Sequence, residues 1–157
     1  MRSAPGYWST SVVGGASMVD DVLTNKVAAI ERSLDRIEEE YSGDLRNLYD
    51  NITRQDSIVL NLQRACQSAI DLAMHVVQIH GLGVPQESRD AFAFLVDEGL
   101  LDQELGDRMM RMVGFRDIAV HEYQRINLDV VKSILDNRLD DFRSFASVVL
   151  QTRGFRT

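Results

Sequence analysis

SIVLNLQRACQSAIDLAMHVVQI, residues 57–79, is the stretch that decides the fold. Its apolar positions recur at helical spacing and fall on more than one face, which places the helix at the centre of a bundle or against another chain. Upstream, Met18 opens a pattern of Val19, Val22, Leu23, Val27, Ile30, Leu34, Ile37 and Tyr41 with charges between, a long amphipathic helix. SGD at 42–44 breaks it, LRNLYDNI makes a short turn, and Asp56 is the candidate N-cap of the central helix. Downstream, Gly81, Gly83 and Pro85 stop that helix. SRDAFAFLVDEG reads as a short helix capped at Ser88 and ended by Gly99, Asp102 opens the next, and Asn127 caps a last one, LDVVKSILDNRLDDFRSFASVVL. Strand signals and internal repeats are nearly absent. The expected fold is all-α, an antiparallel bundle of four main helices plus a short one.

At 157 residues, with 45 % hydrophobic and 26 % charged residues, the chain is the size and composition of one globular domain. MRSAPGYWSTSVVGGAS has no helical period, so residues 1–17 read as a flexible extension, 18–151 as the helical domain and 152–157 as a tail. No apolar run approaches the roughly 20 residues of a membrane span, and no secretory stretch opens the chain, so a cytoplasmic location is expected. The single cysteine, Cys66, lies in the central apolar pattern and reads as a buried thiol.

A formal charge of −7 argues against broad adhesion to nucleic acid. Local charge differs: Arg108, Arg111, Arg116 and Arg125 outnumber Asp117 and Glu122 within VGFRDIAVHEYQR and the turns before it, so a phosphate ligand is expected there. Of the three histidines, His75 and His80 read as a satisfied core or helix-end pair. Five positions apart they diverge by about 140° on a helix, and the chain has no Glu-x-x-His, so no metal site is expected. His121 has polar company in Arg116, Asp117 and Tyr123. It too points about 140° away from Arg116 on an ideal helix, so the two serve one site only if the helix ends nearby or two chains contribute. An arginine and a histidine without metal or thiol suit cleavage of RNA by its own 2′-hydroxyl. Histidine, with an ordinary pKa of about 6.5, moves the proton, and arginine holds the phosphate.

Arg116-Asp117-Ile118-Ala119-Val120-His121-Glu122-Tyr123 resembles the R-polar-x-x-x-H-x-Y signature of HepT-like toxins, a branch of the HEPN superfamily of helical ribonucleases. ERSLDRIEEEY (31–41), NLQRACQSAIDLAMHVV (61–77), GLGVPQESRDAFAFLVDEGLL (81–101) and MVGFRDIAVHEY (112–123) follow in that family's order, from about Met18 to Leu150. The resemblance implies a HEPN-like homodimer whose cleft joins Arg116 and His121 of both chains, and a toxin of a toxin-antitoxin system with metal-independent endoribonuclease activity on tRNA or mRNA. Arg116 and His121 inherit the catalytic roles, and Asp117 a supporting one at a position more often asparagine. Tyr123 inherits the role of AMP acceptor for an MntA-type nucleotidyltransferase antitoxin. No cofactor is implied for the chain itself, since ATP and Mg would be used by the antitoxin. Two other readings stay open: a noncatalytic HEPN-type module that binds RNA, nucleotide or protein, and a helical bundle without a ligand.

Overall fold

The computed structural model describes residues 11–152, with side chains from residue 21 onward. Most of the expected extension over 1–17, and the tail beyond Thr152, lie outside the residues described. Every regular element among them is helical: α1 (Ser11–Tyr41), α2 (Leu45–Tyr49), α3 (Ile52–His80), α4 (Ser88–Asp97), α5 (Gln103–His121), a 3-10 turn (Tyr123–Arg125), α6 (Leu128–Asn137) and α7 (Leu139–Thr152). The all-α expectation holds.

α3 is the axis. It buries residues on several faces, Val59, Leu62, Ala65, Cys66, Ala69 and Leu72 among them, and α1, α2, α4, α5 and α7 all pack on it. α1 runs along α3 through Leu23, Ile30, Leu34 and Ile37, all buried at helical spacing, while Val22 from the same pattern stays exposed. Phe92 of α4 meets Phe145 of α7 edge to face at 5.3 Å between ring centroids, closing the far side of the core.

Polar contacts fix the angles. Arg54 of α3 donates to the Glu40 carbonyl near the end of α1 at 3.0 Å. Tyr49 donates to Asp129 and Tyr41 to Asp136, holding α6 against α1 and α2. Arg108 of α5 donates to the buried Asp141 of α7 at 3.0 Å, a pairing that keeps a charge inside the bundle from standing alone.

Several helix ends match the sequence. Asp102 accepts from the Leu105 N–H and Asn127 from the Asp129 N–H, and Gly81, at φ 63°, closes α3 in the left-handed region that glycine adopts without a Cβ penalty. Four expectations are corrected. α1 begins at Ser11, ahead of Met18, because extending a nucleated helix costs far less than starting one. The N-cap of α3 is Asn51, whose extended backbone and acceptor bond from the Arg54 N–H satisfy the first turn. Asp56 lies inside the helix with its carboxylate free for another partner. The cap of α4 is Glu87 rather than Ser88; Asp90 reaches back to the Gln86 and Glu87 N–H groups, and the Ser88 hydroxyl is left to a residue of α5. The last helix breaks at Arg138, because its first half must reach α2 and its second half α1, α3 and α5.

Gly106 marks a close approach of α5 to α4: a Cβ built there would collide with the Val96 side chain. Gly106→Val should lower stability by about 2 kcal/mol through overpacking, read as a fall in Tm. Adding Val96→Ala should recover part of the loss.

Candidate functional site

α5 ends at His121 and the chain turns at once. Glu122, at φ −143° and ψ 51°, closes the helix with its N–H on the Ile118 carbonyl, and the next residues form the 3-10 turn. The expected helix end next to His121 is therefore present, and it separates the side chains of the motif.

Arg116 turns inward toward α4. Its side chain is 18 % exposed, and one terminal nitrogen donates to the Ser88 hydroxyl at 3.1 Å. Its Nε lies 3.3 Å from Asp117 Oδ1 but out of alignment, so that buried N–H has no hydrogen-bond acceptor among the described residues. A buried donor left without a well-aligned acceptor costs about 1–3 kcal/mol, which the nearby Asp117 charge offsets in part. Arg116 is also near enough to Cys66 to pull its thiol pKa down, yet burial wins and pushes the thiol up to about 12. The buried-thiol reading of Cys66 thus stands, and no nucleophile is found there.

Asp117 keeps a half-exposed carboxylate beside Arg116. His121, the last residue of α5, is exposed. Among the described residues no hydrogen bond or ion pair joins Arg116 to His121 within the chain. Tyr123, carried on the 3-10 turn, is 43 % exposed and reaches back across the bundle to donate its hydroxyl to Asp56 of α3. Partial burial, then the hydrogen bond and negative charge of Asp56, push the phenol up to about 12, so it is protonated at neutral pH. Tyr123 borders a recess floored by Val59 and Leu128.

Asp56 and Ser88 are the site neighbours that the sequence reading cast as helix caps. Each is an ordinary helix-start residue by type, and only the packing of α5 on α3 and α4 gives it a partner. The other histidines lie elsewhere. His80 ends α3, and His75 is not the satisfied core histidine expected: its buried Nε2 has no hydrogen-bond partner among the described residues, and burial lowers its pKa, favouring the neutral ring. No group of three or more His, Cys, Asp or Glu among the described residues is placed to hold a metal ion. No helix among them is long and apolar enough to cross a membrane.

Comparison with known proteins supplies the frame for this geometry. The family described as Ribonuclease HepT-like matches residues 30–149. The mRNA nuclease HepT of Shewanella oneidensis is 44 % identical over 131 residues, 83 % of this chain and 98 % of that protein. A solved structure of the tri-AMPylated Shewanella oneidensis HEPN toxin in complex with MNT antitoxin superposes with a TM-score of 0.79 at 44 % identity, covering 83 % of this chain and 98 % of the other. A toxin-antitoxin structure with AMP-PNP gives a TM-score of 0.80 at 43 % identity with the same coverage. With a matched family spanning most of the helical bundle and the R-polar-x-x-x-H-x-Y residues set at the end of α5, this chain belongs to the HepT-like ribonuclease family.

Proposed function

We propose that this chain is the toxin of a toxin-antitoxin pair, a metal-independent endoribonuclease that cuts tRNA or mRNA in the cytoplasm and is silenced by AMP transfer onto Tyr123. The observation that carries the catalytic part is the placement of Arg116: its guanidinium donates to Ser88 and lies beside Asp117, and the 18 % of the side chain that stays exposed at the end of α5 leaves N–H groups for an anionic oxygen. His121 stands at the same helix end, exposed to an incoming strand.

In this scheme the 2′-hydroxyl of RNA attacks the adjacent phosphorus and the bond to the 5′-oxygen of the next nucleotide breaks. His121 handles a proton, as base or acid, and Arg116 stabilises the charge that builds on the phosphoryl oxygens. Asp117 supports Arg116 from the side. Because the two side chains diverge within one chain, the complete site takes Arg116 and His121 from two copies, a homodimer whose cleft holds the strand.

The neutralising step uses the Tyr123 hydroxyl as nucleophile, with ATP and Mg bound by an MntA-type nucleotidyltransferase antitoxin. The phenolic oxygen bonds to the α-phosphorus of ATP, the bond to pyrophosphate breaks, and the proton passes to Asp56, which already accepts it in a hydrogen bond. AMP on Tyr123 then adds bulk and negative charge beside the cleft, obstructing RNA.

Purified protein incubated with total cellular RNA and with isolated tRNA in excess EDTA should yield products ending in 2′,3′-cyclic phosphate or 3′-phosphate. His121→Ala should cut activity by about 10²- to 10⁴-fold with the circular dichroism spectrum unchanged, and Arg116→Lys should fail nearly as badly because lysine lacks the bidentate fork. Intact RNA after incubation with a chain whose mass shows no AMP would instead mark a noncatalytic binding module. Tyr123→Phe should take up no label from α-³²P-ATP with the antitoxin. Asp56→Asn should bring the Tyr123 phenol only part of the way from about 12 toward the ordinary 10, since the negative charge is lost while the burial and an acceptor oxygen remain; ¹³C-tyrosine NMR across a pH titration reads the change.

A further inference from the structure

A cavity of about 320 Å³ opens between α5 and α6, beside the turn that follows His121. Its walls are apolar, from Met112, Phe115, Ile126 and Ile134, and Ile118 and Val130 at its mouth are 38 % and 48 % exposed. Four arginines line it as well, Arg108, Arg111, Arg125 and Arg138, without a single carboxylate. In a chain of net charge −7 that is a concentrated reversal of sign.

Two of these arginines are occupied. Arg108 pairs with Glu104 and Asp141, and Arg125 with Glu122. Arg111 and Arg138 make no ion pair or side-chain hydrogen bond among the described residues, and both are exposed. Sequence alone groups the first three, since they lie within one stretch. Arg138 joins them only because the chain breaks between α6 and α7 at that residue.

The two halves of this lining limit what fits. A purely ionic ligand leaves the apolar walls wet, and a purely apolar one leaves the guanidinium groups idle. A flat ring carrying a phosphate satisfies both: the ring packs against Phe115 and Ile118, and the phosphate meets Arg111 and Arg138. The volume sits at the lower end of the roughly 300–1,000 Å³ of small-ligand sites, enough for one ring system. A docked helix would need an open trough with anchors over several turns.

We infer that this cavity is a nucleotide subsite, holding one base and phosphate of the RNA strand next to the bond that is cut. It rests on the nuclease function proposed above and adds to it a place where the strand is read. Ile118 at the mouth is one helical turn before His121 on α5, and Arg125 follows on the adjoining turn, so a strand passing His121 meets the cavity next. Recognition here is by ring stacking and phosphate contact, the usual means of holding an unpaired RNA base.

The test is binding of a fluorescent single-stranded RNA decamer, by anisotropy in EDTA, to the full chain carrying His121→Ala. Adding Arg111→Ala with Arg138→Ala should weaken binding at least tenfold and reduce the salt dependence of log K by about 0.7, the loss of one neutralised phosphate on a single strand. Adding Val130→Trp, which fills the mouth, should weaken binding with the salt dependence unchanged. All three positions are exposed, and an unchanged Tm verifies the fold. Unaltered affinity in both variants overturns the subsite, as does failure of the His121→Ala chain to bind RNA. Cleavage by the unsubstituted chain is scored separately: if it persists while the cavity variants bind normally, the subsite falls and the nuclease stands. If it is absent while the cavity variants lose binding, the nuclease falls and the nucleotide site stands.

Discussion

A helix that is apolar on several sides has to be covered on several sides, and this requirement on α3 sets the rest of the architecture. Each buried Leu, Ile or Val side chain contributes about 1.5–3 kcal/mol when removed from water, and α3 carries such residues from Ile58 to Val77. One partner helix cannot cover them. α1 takes one flank along most of its length, while α4, α5 and α7 share the others. Ala65, Ala69 and Ala73 keep α3 slim enough for close approach. The positions of Arg116, which faces α4, and of Tyr123, which returns to α3, are consequences of that packing rather than of the motif's own spacing.

The end of α5 does the remaining work. Had the helix continued past His121, Tyr123 would have been fixed to the same rod as Arg116. The turn at Glu122 frees it to reach Asp56, so the residue proposed as the AMP acceptor is anchored to a different element from the one proposed to bind phosphate. Under the proposed roles, modification at one would alter access to the site without rebuilding the other.

Features written in local chemistry were readable in the sequence. Asp102, Asn127, Gly81 and Gly99 punctuate helices because a cap or a left-handed turn depends on one residue and its near neighbours. Asp56 and Ser88 were misread for the same reason: both have cap chemistry, but Asn51 and Glu87 stand earlier in the chain and take the role, and the long-range partners of the displaced pair are invisible in one dimension. The break at Arg138 has neither glycine nor proline to announce it and follows from the competing demands of α2 on α6 and of the core on α7. The motif could be found by its spacing and family likeness. The direction in which Arg116 turns could not.

Cys66 is 1 % exposed, with its thiol raised to about 12. At neutral pH the thiol stays protonated, and it is walled off from peroxide and from glutathione. Among the described residues there is no other cysteine. Oxidants that work through exposed thiolates therefore find a poor target in Cys66, and the residue acts as part of the packing of α3 rather than as a redox switch.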